Sequence, residues 1–441
     1  MLVPSIDLIN GNAVQLVGGD PTKLEIDAGD PRPLAETYGR LGEIAVIDLD
    51  AALGPKTGNP DNAATIGDLL TIARCRVGGG IRDVDTAIRW LDAGAHTVIL
   101  GTAATPEILR ELPSDRVIAA LDARDGEIVV EGWTKAEGRG SLNDRIAELR
   151  EYVSGFLVTF VEREGRLGGT DLERAQAVVE AAGDKRVTIA GGVTTADEIR
   201  RLDEIGADAQ VGMAIYSGKL DLAEAFAGPL RTDRDDGLWP TVVVDERGVA
   251  LGLAYSSAAS LAEAVRTGRG VYYSRSRQGL WRKGDTSGEV QQLLRIDMDC
   301  DRDALRFTVK QLRADSTDGV FCHLGTRSCW GDDGGLGELA RRLAAPAESR
   351  DAKSYTTRLL TEPGLLDAKL REEAEELCRA ASRDDIVHEA ADVLYFTLVR
   401  LAKEGIALDE VERHLDRRAL KVSRRRGDAK AKFVSGKDTN A

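Results

Sequence analysis

The chain has 441 residues, 42% of them hydrophobic and 30% charged, and a formal net charge of −15. That length holds about three domains, the hydrophobic share excludes the disordered class, and the acidic balance excludes bulk nucleic acid, whose phosphates need clustered Lys and Arg. No apolar run approaches the roughly 20 residues that cross a bilayer. The opening "MLVPSIDLINGNAV" has acids in place of a basic signal-peptide region, so a cytoplasmic protein with no membrane partner is expected. Five cysteines in a reducing compartment point to metal over disulfides. Cys75 and Cys378 stand alone; Cys300, Cys322 and Cys329 share one segment.

From the start to residue 230, β-branched runs alternate with amphipathic helical patterns. "LVPSIDL", "IAVIDLD", "CRVGGG", "TVILGT", "VIAALDAR", "GFLVTFV", "RVTIAGG" and "AQVGMAIY" are eight strands, which predicts an N-terminal (β/α)8 TIM barrel over 1–230. The region also repeats: "VGGGIRDVDTAIRWLDAGAHTVILGTAAT" (77–105) matches "IAGGVTTADEIRRLDEIGADAQVGMAIY" (189–216). Each copy sets a glycine pair after one strand (Gly79 and Gly80; Gly191 and Gly192) and a glycine after the next (Gly101, followed by Thr102; Gly212). Glycine there lets backbone N–H groups approach an anion beside a helix N-terminus. Two such sets predict two phosphate subsites and a substrate with a phosphate at each end. Between them, Asp7 ends the first strand and Asp122 the fifth. Two carboxylates with separately tuned pKa values suit a base-and-acid proton shuffle. Asp48 and Asp50 read as structural.

These segments, with "VGGD", "VIDLDAALG", "ILGTAA" and "ALDARDGEIVVEGW", resemble the phosphoribosylformimino-carboxamide ribotide isomerase of histidine biosynthesis over nearly all of 1–228. The resemblance implies a cofactor-free aldose-to-ketose (Amadori) rearrangement of a bisphosphorylated substrate. It implies Asp7 as base, Asp122 as acid partner, Thr159 positioning the substrate and Trp133 stacking on the heterocycle. Two positions depart from the family pattern. Gln15 stands where Arg is usual, which removes a fixed charge. Glu164 replaces an Asp that serves as an acid in some members, keeping the carboxylate but moving it by about one methylene.

A polar linker follows at 231–238, and "WPTVVVDERGVALGLAYSS" then reads as a hairpin. "RIDMDCDRDALRF" (295–307) reads as a strand that lines Asp297, Asp299, Asp301 and Asp303 along one face, with Cys300 on the other. A divalent cation accounts for Asp299, Asp301 and Asp303 together, because carboxylates are hard ligands suited to Mg²⁺. Cys300, Cys322 and Cys329 offer three thiolates, which fit Zn²⁺ and leave a fourth position open. His323 is a candidate base or ligand. With "YYSRSR", "LWRKGDTSG", "DCDRD" and "CHLGTRSC", this small, mostly-β metal-binding domain (239–340) resembles phosphoribosyl-AMP cyclohydrolase. The resemblance implies adenine-ring hydrolysis with zinc and magnesium at sites between two subunits, where Cys300 meets Cys322 and Cys329 of the other chain. It also implies that Arg275, Arg277 and Lys283 grip phosphoribosyl groups, beside Ser274, Ser276 and Trp281.

An Ala/Pro-bearing linker is expected at 341–350, then an all-α, MazG-like helical domain at 351–430 and a tail at 431–441, with the basic "KVSRRRGDAKAKF" as a solvated helix end. Leu365, Leu366, Leu370, Leu377, Val387, Val393, Leu394 and Leu398 are its candidate packing residues. Glu372, Glu373 and Glu376 share a helical face, as do Glu389 and Asp392, the latter pair in an apolar stretch where unpaired charge is costly. Acids from facing helices around Mg²⁺ suit a substrate diphosphate. "SYTTRLL", "KLREEAEEL" and "EAADVLYF" resemble phosphoribosyl-ATP pyrophosphatase, an oligomeric family, which implies Lys369 and these five acids as substrate and metal residues. Phe396 stands where many members have His.

The three resemblances imply consecutive steps on small phosphoribosyl nucleotides in a homodimer or higher homo-oligomer, in reverse chain order. Two other readings remain: a bifunctional hydrolase with a non-catalytic scaffold barrel, and a housecleaning nucleotide pyrophosphatase built on the helices alone.

Overall fold

Eight parallel strands close on themselves in the N-terminal half: β1 (Leu2–Ile9), β2 (Ile44–Asp48), β3 (Cys75–Gly78), β4 (Thr97–Leu100), β5 (Val117–Arg124), β6 (Gly155–Phe160), β7 (Arg186–Ala190) and β8 (Ala207–Val211). Each pairs with the next, and β8 returns to β1 through Leu2 opposite Ala209. The computed structural model describes residues 1–20, 22–54, 61–124, 127–130, 135–313, 319–331, 334–345, 351, 353–424 and 427; Trp133 lies outside them. β3, β4 and β6 are buried along their whole length, the mark of a parallel sheet covered on both faces. The two repeated helices start alike. Asp83 caps Val84–Ala93 by accepting the Thr86 N–H, and Thr195 with Glu198 forms a capping box on Ala196–Glu204. The second helix buries Ile199 and Leu202, three residues apart, toward the strands.

Inside the ring, Ile99, Ile118, Leu157 and Ala190 pack with Ile47 and Ala120 and fill the barrel beneath its C-terminal face. Above them, strands Asn12–Leu16 and Leu24–Gly29 extend β1 as an antiparallel flap.

After residue 238 the predicted hairpin forms. Trp239–Val244 pairs with Ala250–Ser256, and the Asp245 carboxylate ties the turn by accepting the N–H groups of Arg247 and Val249. Leu305–Arg313 and Glu289–Met298 complete a mixed four-stranded sheet. The helix Ala258–Thr267 and the hairpin Val271–Ser274/Gly279–Arg282 accompany it. Its buried residues, Phe307 and Tyr272 among them, are continuous with the barrel core.

The acidic run is not the strand expected. Strand Glu289–Met298 stops before Asp299, and residues 299–304 turn the chain into Leu305–Arg313. Asp297, still on the strand, pairs with Arg295 (2.6 Å) and Arg306 (2.8 Å) and stands apart from the other three acids.

Helices Tyr355–Thr361, Leu365–Arg379, Arg383–Lys403 and Leu408–Ala419 form the C-terminal unit. Leu359, Leu366, Phe396, Leu398 and Val399 are its core, with Leu343 of the helix Gly335–Ala344. That helix occupies the first part of the expected 341–350 linker, because Leu339, Ala340 and Leu343 have an apolar core to join. Val387 and Leu394, expected to pack, are exposed; they sit on a face of Arg383–Lys403 turned from this core. The start of the basic segment is no solvated end either: the N–H groups of Val422 and Ser423 donate to Asp92 in the barrel at 2.8 and 3.0 Å. Among the described residues no helix is long and apolar enough to cross a membrane.

Candidate functional site

One cavity of about 330 Å³ opens at the C-terminal ends of the barrel strands. Asp7, Asp122, Thr159 and Glu164 line it together with Gly79, Gly80, Gly101, Thr102, Gly191, Gly192 and Gly212. Strand order explains the grouping: Asp122 and Thr159 face one another across the β5–β6 pair, and Glu164 follows β6 in the next loop. Burial, then the charge of Glu164, pushes the Asp7 carboxyl up to about 7. Burial, then the charge of Asp122, pushes Glu164 up to about 7 as well. Burial and the neighbouring carboxylates thus hold both Asp7 and Glu164 partly protonated near neutral pH.

The glycine pairs have a packing reason of their own. Gly79 and Gly80 have φ +90° and +69°, Gly191 and Gly192 +97° and +84°, a region open to glycine. A Cβ on Gly79 would collide with the Asp48 backbone, and one on Gly191 with the Phe160 backbone. Gly101 is different. Its φ is not positive and nothing lies within 4 Å of where a Cβ would stand, so it faces open cavity.

Asp48 accepts the N–H of Ala51 and the amide of Asn62; Asp50 accepts the N–H of Asn10 and the same amide. These bonds tie the chain after β2 to its neighbours. Two polar groups, one behind Asp7 and one lining the cavity, escaped the sequence reading as site residues. Gln15 is buried with its amide 3.5 Å from Asp7; its departure from the family pattern was the only signal. Gln210 lines the cavity, and its Oε1 has no hydrogen-bond partner among the described residues; nothing in the local pattern marks it.

In the middle domain the Cys322 and Cys329 thiols come within hydrogen-bonding reach of each other. Arg327 braces their segment, donating to the Gly319 carbonyl at 3.1 Å and pairing with buried Asp245 at 3.5 Å. Cys322 Sγ accepts the Leu324 N–H at 3.5 Å, and this bond leads the causes that lower its pKa. Burial, then Cys322, raises Cys329. A thiolate held by a backbone N–H, next to a second sulfur and buried Lys283, fits a soft metal. Cys300 does not join them: it is exposed in the 299–304 turn. His323 Nδ1 is 4.0 Å from Cys322 Sγ and the ring is exposed.

Asp299, Asp301 and Asp303 do come together, with ligand oxygens within 4.8 Å of one another. The Asp299 side chain organises the turn by accepting the N–H groups of Asp303 and Ala304. Ser274, Arg275, Ser276 and Arg277 crown the Val271–Ser274/Gly279–Arg282 hairpin; Arg275 stacks on Tyr255 at 3.9 Å, and Trp281 packs on Tyr272.

On the helices, Glu372, Glu373 and Glu376 form one acidic group, and Glu373, Glu389 and Asp392 form another. Lys369 pairs with Glu373 at 2.6 Å and Glu372 at 3.0 Å. Glu389 Oε2 is buried without a partner among the described residues, and burial, followed by Glu376, raises its pKa. A partnerless carboxylate oxygen beside two further acids fits a hard cation. Phe396 packs in the core against Tyr355 and Tyr395, with the Lys369 ammonium 5.6 Å from its ring centre.

Three family models match the chain: "Histidine biosynthesis protein" over residues 1–221, "Phosphoribosyl-AMP cyclohydrolase" over 252–331 and "Phosphoribosyl-ATP pyrophosphohydrolase" over 336–419. The chain belongs to the histidine biosynthesis protein family. Within that family it is similar to the histidine biosynthesis trifunctional protein of Neurospora crassa, 40% identical over 335 residues, which is 73% of this chain and 38% of the relative. A histidine biosynthesis bifunctional protein of Schizosaccharomyces pombe is 49% identical over 212 residues, 48% of this chain and 49% of the relative. A carboxamide isomerase of Halobacterium salinarum is 39% identical over 240 residues, 51% of this chain and 96% of the relative. The chain thus spans about a quarter to a half of the length of the fungal relatives it matches.

Proposed function

We propose that this chain releases pyrophosphate from phosphoribosyl-ATP at its C-terminal helices, opens the adenine ring of phosphoribosyl-AMP in the middle domain, and isomerises the product from aldose to ketose in the barrel. The isomerase step rests on one observation above all: Asp7 and Glu164 share a cavity with Asp122, and both are raised to about 7. The rearrangement needs one carboxyl protonated and another ionised at the same pH. The acid pair Glu164 and Asp122 gives a proton to the ribose ring oxygen as the C1–O bond breaks. Ionised Asp7 removes the proton from C2 and returns it to C1 of the enolamine, while the C2 hydroxyl gives its proton back to the acid pair as the ketone forms, so atoms and both carboxyl groups are restored. Thr159, beside Asp122, orients the sugar; open space at Gly101 lets a phosphate reach the backbone.

In the other domains, Glu373, Glu389 and Asp392 would hold a hard cation, as would Asp299, Asp301 and Asp303, while Cys322 and Cys329 would hold Zn²⁺ with Cys300 of a second chain. Bound cations supply charge neutralisation for phosphates and activation of water. Lys369 and Lys283 bring fixed positive charge to their respective sites, and Arg275 and Arg277 stand exposed on the hairpin to meet phosphate.

Purified chain supplied with phosphoribosyl-ATP, Mg²⁺ and Zn²⁺ should yield pyrophosphate, then the ring-opened aldose, then the ketose, resolved chromatographically. Asp7→Asn should stop at the aldose. Aldose accumulating equally in the wild type would make the barrel a scaffold. Unchanged turnover of phosphoribosyl-AMP after complete removal of divalent ions would overturn the metal assignment.

A further inference from the structure

The turn that gathers Asp299, Asp301 and Asp303 is gripped from behind by the barrel. Arg302, between two of those acids, has φ +67°, a left-handed conformation that costs a residue with a side chain about 1 kcal/mol. Its guanidinium forks onto both carboxylate oxygens of Asp203, on the barrel helix Ala196–Glu204, with Nε to Oδ2 at 3.3 Å and Nη2 to Oδ1 at 3.0 Å. Nη1 donates to the Asp299 carbonyl at 2.9 Å. The Arg302 carbonyl in turn accepts the N–H of Arg231, the first residue of the linker after the barrel, at 2.8 Å. Asp203 is 10% exposed and Arg302 20%, so the fork is well shielded, and such charge-assisted pairs carry geometric specificity. The unfavourable φ turns this one side chain toward the barrel while Asp301 and Asp303 stay exposed.

We propose that Asp203 and Arg302 are positioning residues for the cation-binding turn of the middle domain, so that the barrel preorganises the neighbouring site through this pair. The proposal rests on reading Asp299, Asp301 and Asp303 as cation ligands. Three carboxylates within 4.8 Å repel one another and would splay in a free loop. A guanidinium anchored behind them opposes that repulsion and fixes the turn before the cation arrives. The barrel then serves a second reaction by a route separate from its own cavity.

The test titrates Mn²⁺ by electron paramagnetic resonance in the full chain carrying Glu373→Gln, which removes the carboxylate shared by both helical acid groups. In that background Asp203→Asn and Arg302→Gly should each weaken binding at the turn by about tenfold, with exchange of the Asp303 and Ala304 amide hydrogens accelerated. Arg302→Gly tolerates the left-handed φ, so its loss reports the guanidinium alone, and Asp203→Glu should restore most of the affinity. The barrel reaction and the melting temperature of Arg302→Gly should stay as in the parent. Unchanged Mn²⁺ affinity in both variants, while Asp301→Asn still weakens it, would overturn the positioning role. If Asp301→Asn also changes nothing, the cation reading of the turn falls first and takes the proposal with it.

Discussion

The Gln15 side-chain amide, buried on the first strand of the flap that extends β1, sits 3.5 Å from the Asp7 carboxylate. It is a neutral neighbour, and it leaves Asp7 raised to about 7. Gln15→Arg should place positive charge against Asp7 and favour its ionised form. The acid limb of the isomerase pH–rate profile should then move down by about one unit. The alkaline limb, set by Glu164, should move little.

The same shift makes Asp7 a stability liability with a definite sign. Its folded pKa lies above the unfolded one, so its contribution is fully present below about pH 4 and is lost as pH rises through about 7. Asp7→Asn cannot ionise. It should be more stable than wild type at pH 8 by about 1–2 kcal/mol, discounted for solvent in the cavity, with no advantage at pH 4. Thermal melting at the two pH values reads the difference.

Gly79 and Gly101 should separate folding from binding. Gly79→Ala puts a Cβ into the Asp48 backbone at φ +90° and should cost the barrel about 2–4 kcal/mol. Gly101→Ala meets nothing within 4 Å and should melt normally. If a phosphate rests on that backbone, its KM should rise about tenfold while kcat holds.

Glu389 has a buried oxygen without a partner among the described residues and a pKa raised by burial and then Glu376. In the absence of divalent ions, Glu389→Gln should raise the melting temperature. Saturating Mg²⁺ should reverse the ranking, because only the wild type gains from binding. Pyrophosphate release should fall by two orders of magnitude or more in the variant, an estimate of about 3 kcal/mol in the barrier.

Cys300 is far enough from Cys322 and Cys329 that the described residues hold no three-thiolate group. Cys300→Ser and Cys322→Ser should each lose zinc and ring-opening activity. Mixing the two inactive proteins and allowing subunits to exchange should restore about a quarter to a half of the activity, if one chain donates Cys300 and its partner the other two sulfurs. Zinc analysis of the mixture checks it.

The barrel was legible because two signals agreed: strand–helix alternation and a doubled glycine pattern whose positive φ values reflect crossing backbones. The acid-lined turn was found for the wrong reason. Asp at every second place imitates strand periodicity, yet Asp299 bonds its own downstream N–H groups and Arg302 turns left-handed, local chemistry that outweighs a two-residue repeat. The contact between Gln15 and Asp7, eight residues apart, depends on flap register, and that between Asp203 and Arg302, on how two domains meet. Neither leaves a periodic trace. Val387 and Leu394 were read as core because they are apolar, and helical period alone does not say how many faces of a helix are covered.

Where the last helix ends, the chain returns to its beginning: Val422 and Ser423 fasten to Asp92, and Arg116 reaches the Leu420 carbonyl at 3.0 Å. Arg247 of the middle domain adds a clasp to Glu412 at 3.0 Å. The helical unit is therefore leashed at its last helix, and its swing relative to the two other chemistries is bounded by geometry instead of by linker length alone.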